Sequence, residues 1–454
     1  MDSSPPPYPP MRRLLFALAL LPALLCAGPA RAQPGGGDQA ALPQTSDGTP
    51  RLSPQAQVSL LTILPGGGPA SAFGHSALRV RDPARGLDRT YNYGTYNFQD
   101  PYFIPKFVYG QLTYLVVAAP FRPFLQRYRR LGRPVIEQKL RLSPAQAQQL
   151  FAFLERNTRA GHRTYEYDFL FDNCATRIRD ALRGALGARL RFEEKALPRR
   201  TFRDHLDRFV AGMPLLDFGF DLGLGLPVER VATPAEAMFL PEYLMEGFAG
   251  ATVRSPPGGD APRRSLVART DTLFWQAGAR FPARAAFPWV TIGAWALFAA
   301  LAGLTGWRWA QGRAPRAWPD VLLFGAVGAG GVVVWFLAFL SEHEVTRQNL
   351  NVVWMWPTHL LFAGALLLER ANGRLARGYL LAAAVAALGL ALGWPLWPQD
   401  LHAAAFPFVA MIALRGARRG EVAALFRATP SPAQRLSTRS DGAAPARPER
   451  AEAG

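Results

Sequence analysis

Two side chains in this 454-residue sequence, Cys174 and His75, stand where their types could carry nucleophilic catalysis. Cys174 stands in "YDFLFDNCATRIRDAL", directly after Asp172 and Asn173 and at the head of a run with helical spacing. A thiol placed there faces free backbone N–H groups and the positive end of the helix dipole, both of which favour the thiolate. Such a nucleophile needs a base, most often a histidine. His75, in "SAFGHSALRV", opens a strand-like segment behind Gly74, which lets a substrate or another backbone come close. His162, in the polar connection "RAGHRTYEY", and His205, in the charged run "RDHLDRF", read as solvent-facing. His75 is therefore the expected base. Candidates to orient it are Asn92 and Tyr93, with Asn97, on the strand after the hairpin, while Asp168 and Asp172 lie near the thiol in sequence; strand register is not fixed to one residue by sequence.

The chain holds two cysteines, and the other, Cys26, lies in a leader. Arg12 and Arg13 precede the apolar run "LLFALALLPALLCAG", and Ala30 and Ala32 form a small-x-small site, so residues 1–32 read as a signal peptide cut after about Ala32. The run is short for an uncleaved anchor, and the bulky Leu25 argues against a lipid anchor at Cys26. Export leaves Cys174 unpaired where structural cysteines normally pair. An intermolecular disulfide, a buried inert thiol and a reactive nucleophile are the three outcomes. One cysteine and no ligand-spaced cluster argue against a metal site, and no cofactor is implied.

These residues must be positioned by the segment 53–285, which follows a Gly- and Pro-rich linker at 33–52. "VSLLTILPG", "HSALRVRD" and "RTYNYGTYNF" read as strands, the last two joined through the hairpin connection "DPARGLD". "SPAQAQQLFAFLERNTRAG" and "NCATRIRDALRGALG" read as helices, each with a capping residue at its start. Strands leading into helices indicate an α+β domain. From about Phe287 long apolar runs dominate, with spans expected at about 288–306, 320–340, 352–368, 378–397 and 401–414 within a membrane domain at 286–416. Arginines follow the first, third and fifth runs, and the loops "SEHEVTRQNLN" and "WPQDLHA" carry little positive charge. The positive-inside rule then puts the 53–285 domain and those two loops outside, and the arginine-rich tail 417–454 inside. The net charge of +18 tracks these flanks, with no basic stripe interleaved with aromatics, so nucleic acid is excluded as a partner. Trp354, Trp356, Trp394 and Trp397 are expected to form an outer interfacial belt.

"FGHSALRVRD", "YNYGTYNF" and "YDFLFDNCATRIRDAL", in this order, resemble the circularly permuted papain-like (NlpC-type) enzymes, where the histidine strand precedes the cysteine helix. Together with "TFRDHLDRF", "FGFDLGLGLPVER" and "HEVTRQNLNVVWMWP" they resemble more closely the Lnb family of bacterial lipoprotein N-acyltransferases, and the resemblance covers nearly all of the mature chain. It implies a permuted papain-like periplasmic domain followed by an all-α membrane domain of five helices, in the inner membrane. It implies Cys174 as nucleophile and His75 as base, a phospholipid as acyl donor, and the amine of a lipidated N-terminal cysteine of a lipoprotein as acceptor. His343, Arg347, Asn349 and Asn351 in one outer loop, and Gln399 and His402 in the other, become candidates to bind head groups. The arginine-rich tail has no counterpart in the resemblance. The competing readings are a cell-wall peptidase or amidase, which has little use for so much membrane, and a non-catalytic envelope scaffold with an inert Cys174.

Overall fold

The structure, a computed structural model, describes residues 45, 48–96, 101–193, 199–254, 262–277, 285–371 and 373–428. The expected signal peptide, the linker up to residue 44, Asn97 and the tail from 429 lie outside the described residues. Contacts divide the chain into two compact units: one runs to Phe287 and also includes Leu337–Gln348, and the other comprises Pro288–Phe336 and the chain from Asn349 onward.

The first unit is built on a seven-stranded antiparallel sheet. Its strands are β1 (Gln57–Ile63), β2 (His75–Asp82), β3 (Leu87–Thr95), β4 (Thr113–Pro120), β5 (Val135–Leu140), β6 (Thr164–Glu166) and, after a small second sheet of β7 (Leu190–Arg191), β8 (Thr252–Val253) and β9 (Arg264–Ser265), β10 (Val267–Phe274). The order across the large sheet is β10-β5-β1-β2-β3-β4-β6. Helices α1 (Phe103–Tyr109), α2 (Phe121–Arg130), α3 (Pro144–Thr158) and α4 (Cys174–Leu186) alternate with these strands, and α5 (Phe202–Val210), α6 (Pro214–Gly223) and α7 (Pro241–Gly250) follow. All pairings are antiparallel, which makes the unit α+β as expected.

Both faces of the central strands are covered, which is why "VSLLTI" reads as a continuous apolar run rather than an alternating one. One face sends Val58, Leu60, Leu78, Val80 and Tyr91 into the main core against Leu150, Phe151 and Leu154 of α3 and Ile178 and Leu182 of α4. The other sends Leu61, Ile63 and Ala77 into a smaller cluster closed by Phe124 and Tyr128 of α2. Helix α3 starts on Ser143, whose hydroxyl accepts from Gln146 N–H while the Gln146 side chain accepts from Ser143 N–H. Arg79, on the α2 side of β2, is buried in a fork to Asp88 with 2.7 Å contacts, reaches Glu137 at 3.0 Å, and lies 3.4 Å from the Phe121 ring centre.

The second unit is all-helical: α8 (Trp289–Ala310), α9 (Ala317–Trp335), α10 (Thr358–Leu367), α11 (Arg374–Gly393) and α12 (Ala405–Ala428); a π-helical turn Phe336–Leu340 prolongs α9 into the first unit's Leu337–Gln348. Among the described residues, four segments are long and apolar enough to cross a membrane: Trp289–Ala310, Ala317–Leu340, Leu350–Leu367 and Arg374–Leu396. Their outward residues are large and apolar, among them Leu361, Leu375 and Leu392, each at least 74% exposed, as suits a lipid-facing surface. The fifth expected span forms α12 but stays outside this set. Its apolar stretch ends at Leu414, and Arg415, Arg418 and Arg419 follow within the helix. Arg415 is nevertheless buried. It forks onto Asp320 of α9, donates to Thr305 Oγ1 at 2.8 Å, and so finds a partner for a charge that would otherwise be costly inside the helices.

The third expected span is long and apolar enough to cross a membrane but is not one helix. A 3₁₀ turn at Leu350–Val353 gives way to irregular chain at Trp354–Pro357 before α10 begins. Gly328 and Gly331 of α9 make room for this break: a Cβ on Gly331 would lie 2.5 Å from Met355 O, and one on Gly328 2.5 Å from Leu360 N. Backbone groups freed by the break need partners in an apolar setting. Met355 N–H donates to Asn351 O at 2.9 Å, and His359 Nε2 bonds Trp354 O at 3.1 Å.

Candidate active site

Cys174 is the first residue of α4, and Asn173 is its cap. Asn173 Oδ1 accepts from Ala175 and Thr176 N–H at 2.8 and 3.1 Å, and its amide donates to Phe169 O and Phe239 O at 2.7 and 3.0 Å. The cap thus fixes both the helix start and the loop before it. Asp168 shapes that loop by accepting from Leu170 and Phe171 N–H, and Asp172 forks onto Arg177. Both aspartates are tied up within the turn that presents the thiol.

His75 opens β2, and its Nε2 meets Asn92 Oδ1 of the neighbouring β3 at 2.5 Å. That bond makes Nε2 the protonated nitrogen and leaves Nδ1 with a lone pair. Asn92 is itself held by donating to Thr95 Oγ1 at 3.3 Å, across an irregularity in the β3–β4 pairing between Asn92 and Thr95. Gly94 sits in that irregularity at φ +83°. A Cβ built on it would lie 3.6 Å from Cys174 Cβ and 3.9 Å from His75 Cε1, so cysteine and histidine meet across this glycine. Of the two strand candidates, Asn92 faces His75, whereas Tyr93 points to the opposite face, buried in the main core with its hydroxyl accepting from Asn157. Removing the Asn92 partner deletes one hydrogen bond, so Asn92→Ala is expected to lower turnover about tenfold with little change in KM. Steady-state kinetics on that variant checks this.

The electrostatics of the pair differ from what a helix start alone suggests. Burial pushes the Cys174 thiol up to about 11, although the backbone N–H groups of Ser76, Cys174 and Ala175, and the charge of Arg133, pull the other way. Burial also pushes His75 down to about 4, against the Asn92 bond, and Arg133 and Arg127 add to the fall. The expectation of a resting thiolate is thereby corrected: the helix terminus acts in the expected direction, and desolvation is larger. At neutral pH the pair is a thiol beside a neutral imidazole, an acceptor ready to take the thiol proton as the sulfur attacks. Alkylation of Cys174 by iodoacetamide is accordingly expected to accelerate continuously from pH 6 to 10, without the plateau near neutrality that a preformed thiolate gives. A pH series of labelling rates measures this directly.

An aromatic wall borders the thiol. Tyr114 and Tyr167 stack with ring centres 4.3 Å apart, Tyr96 lies 5.3 Å from Tyr114, and Tyr93 lies 6.3 Å from Tyr165. Burial, and to a lesser degree the nearby Cys174, keep Tyr114, Tyr165 and Tyr167 protonated through the physiological range. Arg133, which donates to Leu64 O from both Nε and a terminal nitrogen at 3.1 and 3.0 Å, is the cation whose charge reaches both His75 and Cys174. Neither Arg133 nor Gly94 was a sequence candidate. "YNYGT" did mark a glycine inside a strand, the usual sign of a bulge.

The other histidines divide differently from the expectation. His162 is exposed. His205 is fully buried, its Nδ1 3.3 Å from Tyr243 Oη, and burial lowers it to about 4. The charges around it that suggested a solvated helix are paired internally, with Arg203 bound to Asp221 and Glu229 and Arg208 bound to Glu242.

The outer-loop candidates also separate. His343 lies in the segment that belongs to the first unit, with Nε2 at 2.9 Å from Phe107 O, and Arg347 in the same segment is exposed. Asn349 and Asn351 are buried in the second unit and are not open to a head group. Asn349 Oδ1 accepts from Asn351 N–H and from Gln399 Nε2, Gln399 Oε1 accepts from Leu350 N–H, and Asn351 Oδ1 accepts from Trp354 Nε1. These residues hold the broken third span. Trp354, expected in an interfacial belt, is buried with them, and His402 caps Ala404 N–H at 3.0 Å.

A cysteine at a helix start facing a strand histidine that an asparagine orients, in an α+β domain joined to apolar helices, defines the class. Residues 49–208 match the Lnb N-terminal periplasmic domain, and residues 286–420 match the Lnb transmembrane domain. The chain belongs to the Lnb family and is a membrane protein with a periplasmic domain, and its membership points to lipoprotein maturation. Cys174, His75 and Asn92 all fall inside the first match, while the segment between residues 209 and 285 lies between the two. No curated protein and no solved structure matches the chain.

Proposed function

We propose that the protein is an inner-membrane lipoprotein N-acyltransferase that works through a Cys174 thioester, in a permuted papain-like domain. The observation that carries this reading is the convergence of Cys174 and an Asn92-oriented His75 on Gly94. As Cys174 Sγ attacks the ester carbonyl of a phospholipid, His75 Nδ1 takes the thiol proton. The tetrahedral oxyanion forms beside the Ser76 and Cys174 backbone N–H groups that face the sulfur, with the Arg133 charge nearby. Collapse breaks the carbon–oxygen bond, the imidazolium gives its proton to the departing lysophospholipid oxygen, and the acyl chain remains on sulfur. The α-amine of a lipidated N-terminal cysteine then attacks the thioester, His75 removes the amine proton, and the sulfur leaves to recover it as the thiol. The products are an N-acylated lipoprotein and the starting enzyme, and no cofactor is required. Both substrates reside in a bilayer, which accounts for the fusion of this domain to spanning helices. Incubating the full chain in vesicles with a diacylated lipoprotein and measuring acylation of its N-terminal amine tests the reading. Unchanged acceptor mass beside active-site-intact protein contradicts it.

A further inference from the structure

We infer that α1 is an interfacial helix that rests in the outer leaflet and brings the Cys174 site to the lipid surface. The first observation is composition against exposure. "FIPKFVY" carries a single charged residue, Lys106, yet Ile104 and Val108, one helical turn apart, are 44% and 43% exposed, and Tyr102 and Tyr109 are exposed beside them. Phe107 turns inward and packs on the main core. A surface apolar in this way marks a contact with a partner or with lipid.

The second observation selects lipid, and it follows from chain continuity. The segment Ala317–Leu340 is long and apolar enough to span, and Phe339 and Leu340 at its end are about 60% exposed. Two residues after Leu340, Glu342 N–H donates to Tyr109 O at 2.7 Å, and His343 Nε2 bonds Phe107 O at 2.9 Å. Gln111 Nε2 adds a 3.2 Å bond to Glu342 Oε1. The contact leaves no room for a side chain on Gly110, whose Cβ would lie 2.9 Å from His343 N and 3.0 Å from Glu342 C. The C-terminal carbonyls of α1 are therefore fastened to the residues at which the chain leaves the span. A seven-residue helix is only about 10 Å long, so its whole length lies near the head-group layer. Flanking tyrosines and an apolar helix face suit that layer.

The sequence neighbours of α1 connect this surface to the chemistry. β3, which ends at Thr95 just past Gly94, precedes α1, and β4, which carries Tyr114 of the aromatic wall, follows it. A donor lipid bound along α1 would present its ester beside the wall that leads to the thiol. This second step rests on the acyl-transfer reading; contact of α1 with the bilayer does not.

The test uses the full chain in phosphatidylcholine and phosphatidylglycerol vesicles, with Cys174→Ala to free the labelling chemistry. An environment-sensitive fluorophore is attached at Ile104→Cys or, as a water-exposed control, at His162→Cys. The expected result is quenching of the residue-104 probe by lipids brominated high on the acyl chain and at least fivefold protection from aqueous iodide relative to residue 162. Equal iodide quenching at both positions, with no effect of brominated lipid, overturns the inference. In the chain that retains Cys174, Ile104→Glu with Val108→Glu is expected to slow acyl loading from vesicle phospholipid at least tenfold while leaving iodoacetamide labelling of Cys174 unchanged. Loading at the unaltered rate overturns the link between α1 and the site. If the probe is lipid-quenched and no acyl adduct forms in any chain, the acyl-transfer reading fails and the membrane contact of α1 stands.

Discussion

Replacing Cys174 by alanine is expected to abolish lipoprotein N-acylation, with a fall of about 10⁴-fold or more, because no other group in the proposed chemistry can carry the acyl chain. Cys174 is half-buried and contributes little to the cap, which is made by Asn173 and Thr176. The variant should therefore fold and keep its thermal midpoint within a few degrees, separating loss of chemistry from loss of structure. Acceptor mass in reconstituted vesicles, read alongside a melting curve, decides this. Residual acylation at more than a hundredth of the starting rate would mean that the acyl group reaches the amine by another path.

His75→Ala removes the base and is expected to cost about 10³-fold in kcat/KM, within the range of general-base catalysis. The same residue sets a pH signature. An imidazole held near 4 stays neutral, and so competent as a base, at pH 5, where an ordinary histidine near 6.5 is mostly protonated. The rate of acyl loading onto Cys174, a half-reaction that involves no amine, should therefore hold as pH falls from 7 to about 5 and decline only toward pH 4. A decline centred near pH 6.5 would place the base elsewhere or show it solvated. Because His75 lies at the mouth of β2 beside α2, its loss leaves the Ala77, Phe124 and Tyr128 cluster in place. A matched melting curve for His75→Ala confirms that chemistry alone has been removed.

The parts of this arrangement that are local in sequence were legible there. β2 runs over "HSALRVRD" as its pattern indicates, and α3 and α4 begin at Ser143 and Asn173, because alternation and capping act over a few residues. What depended on distant partners was not. The choice of Asn92 over Tyr93 follows from strand register, which places the asparagine on the His75 side of β3 and the tyrosine in the core. His205 looked solvated because Arg203 and Arg208 flank it, and their acidic partners arrive from α6, α7 and the turn around Glu229. The thiol's position at a helix start was readable, but the degree of its burial was not, and burial decides the sign of its shift. In the membrane unit, hydropathy located the third span, whereas its break requires Gly328 and Gly331 on a different helix. Asn349 looked available to lipid for the same reason: its partner, Gln399, comes from some fifty residues away, and Asn351 is held in turn by Asn349 and Trp354.

The most direct measurement is the mass of the Cys174 peptide after the full chain, in vesicles of defined diacyl phospholipid, is held without a lipoprotein acceptor. One fatty-acyl mass is expected on Cys174, released by neutral hydroxylamine, discharged on adding a diacylated lipoprotein, and absent in His75→Ala over the same interval. An unmodified Cys174 peptide in vesicles where the same protein N-acylates a lipoprotein would contradict it.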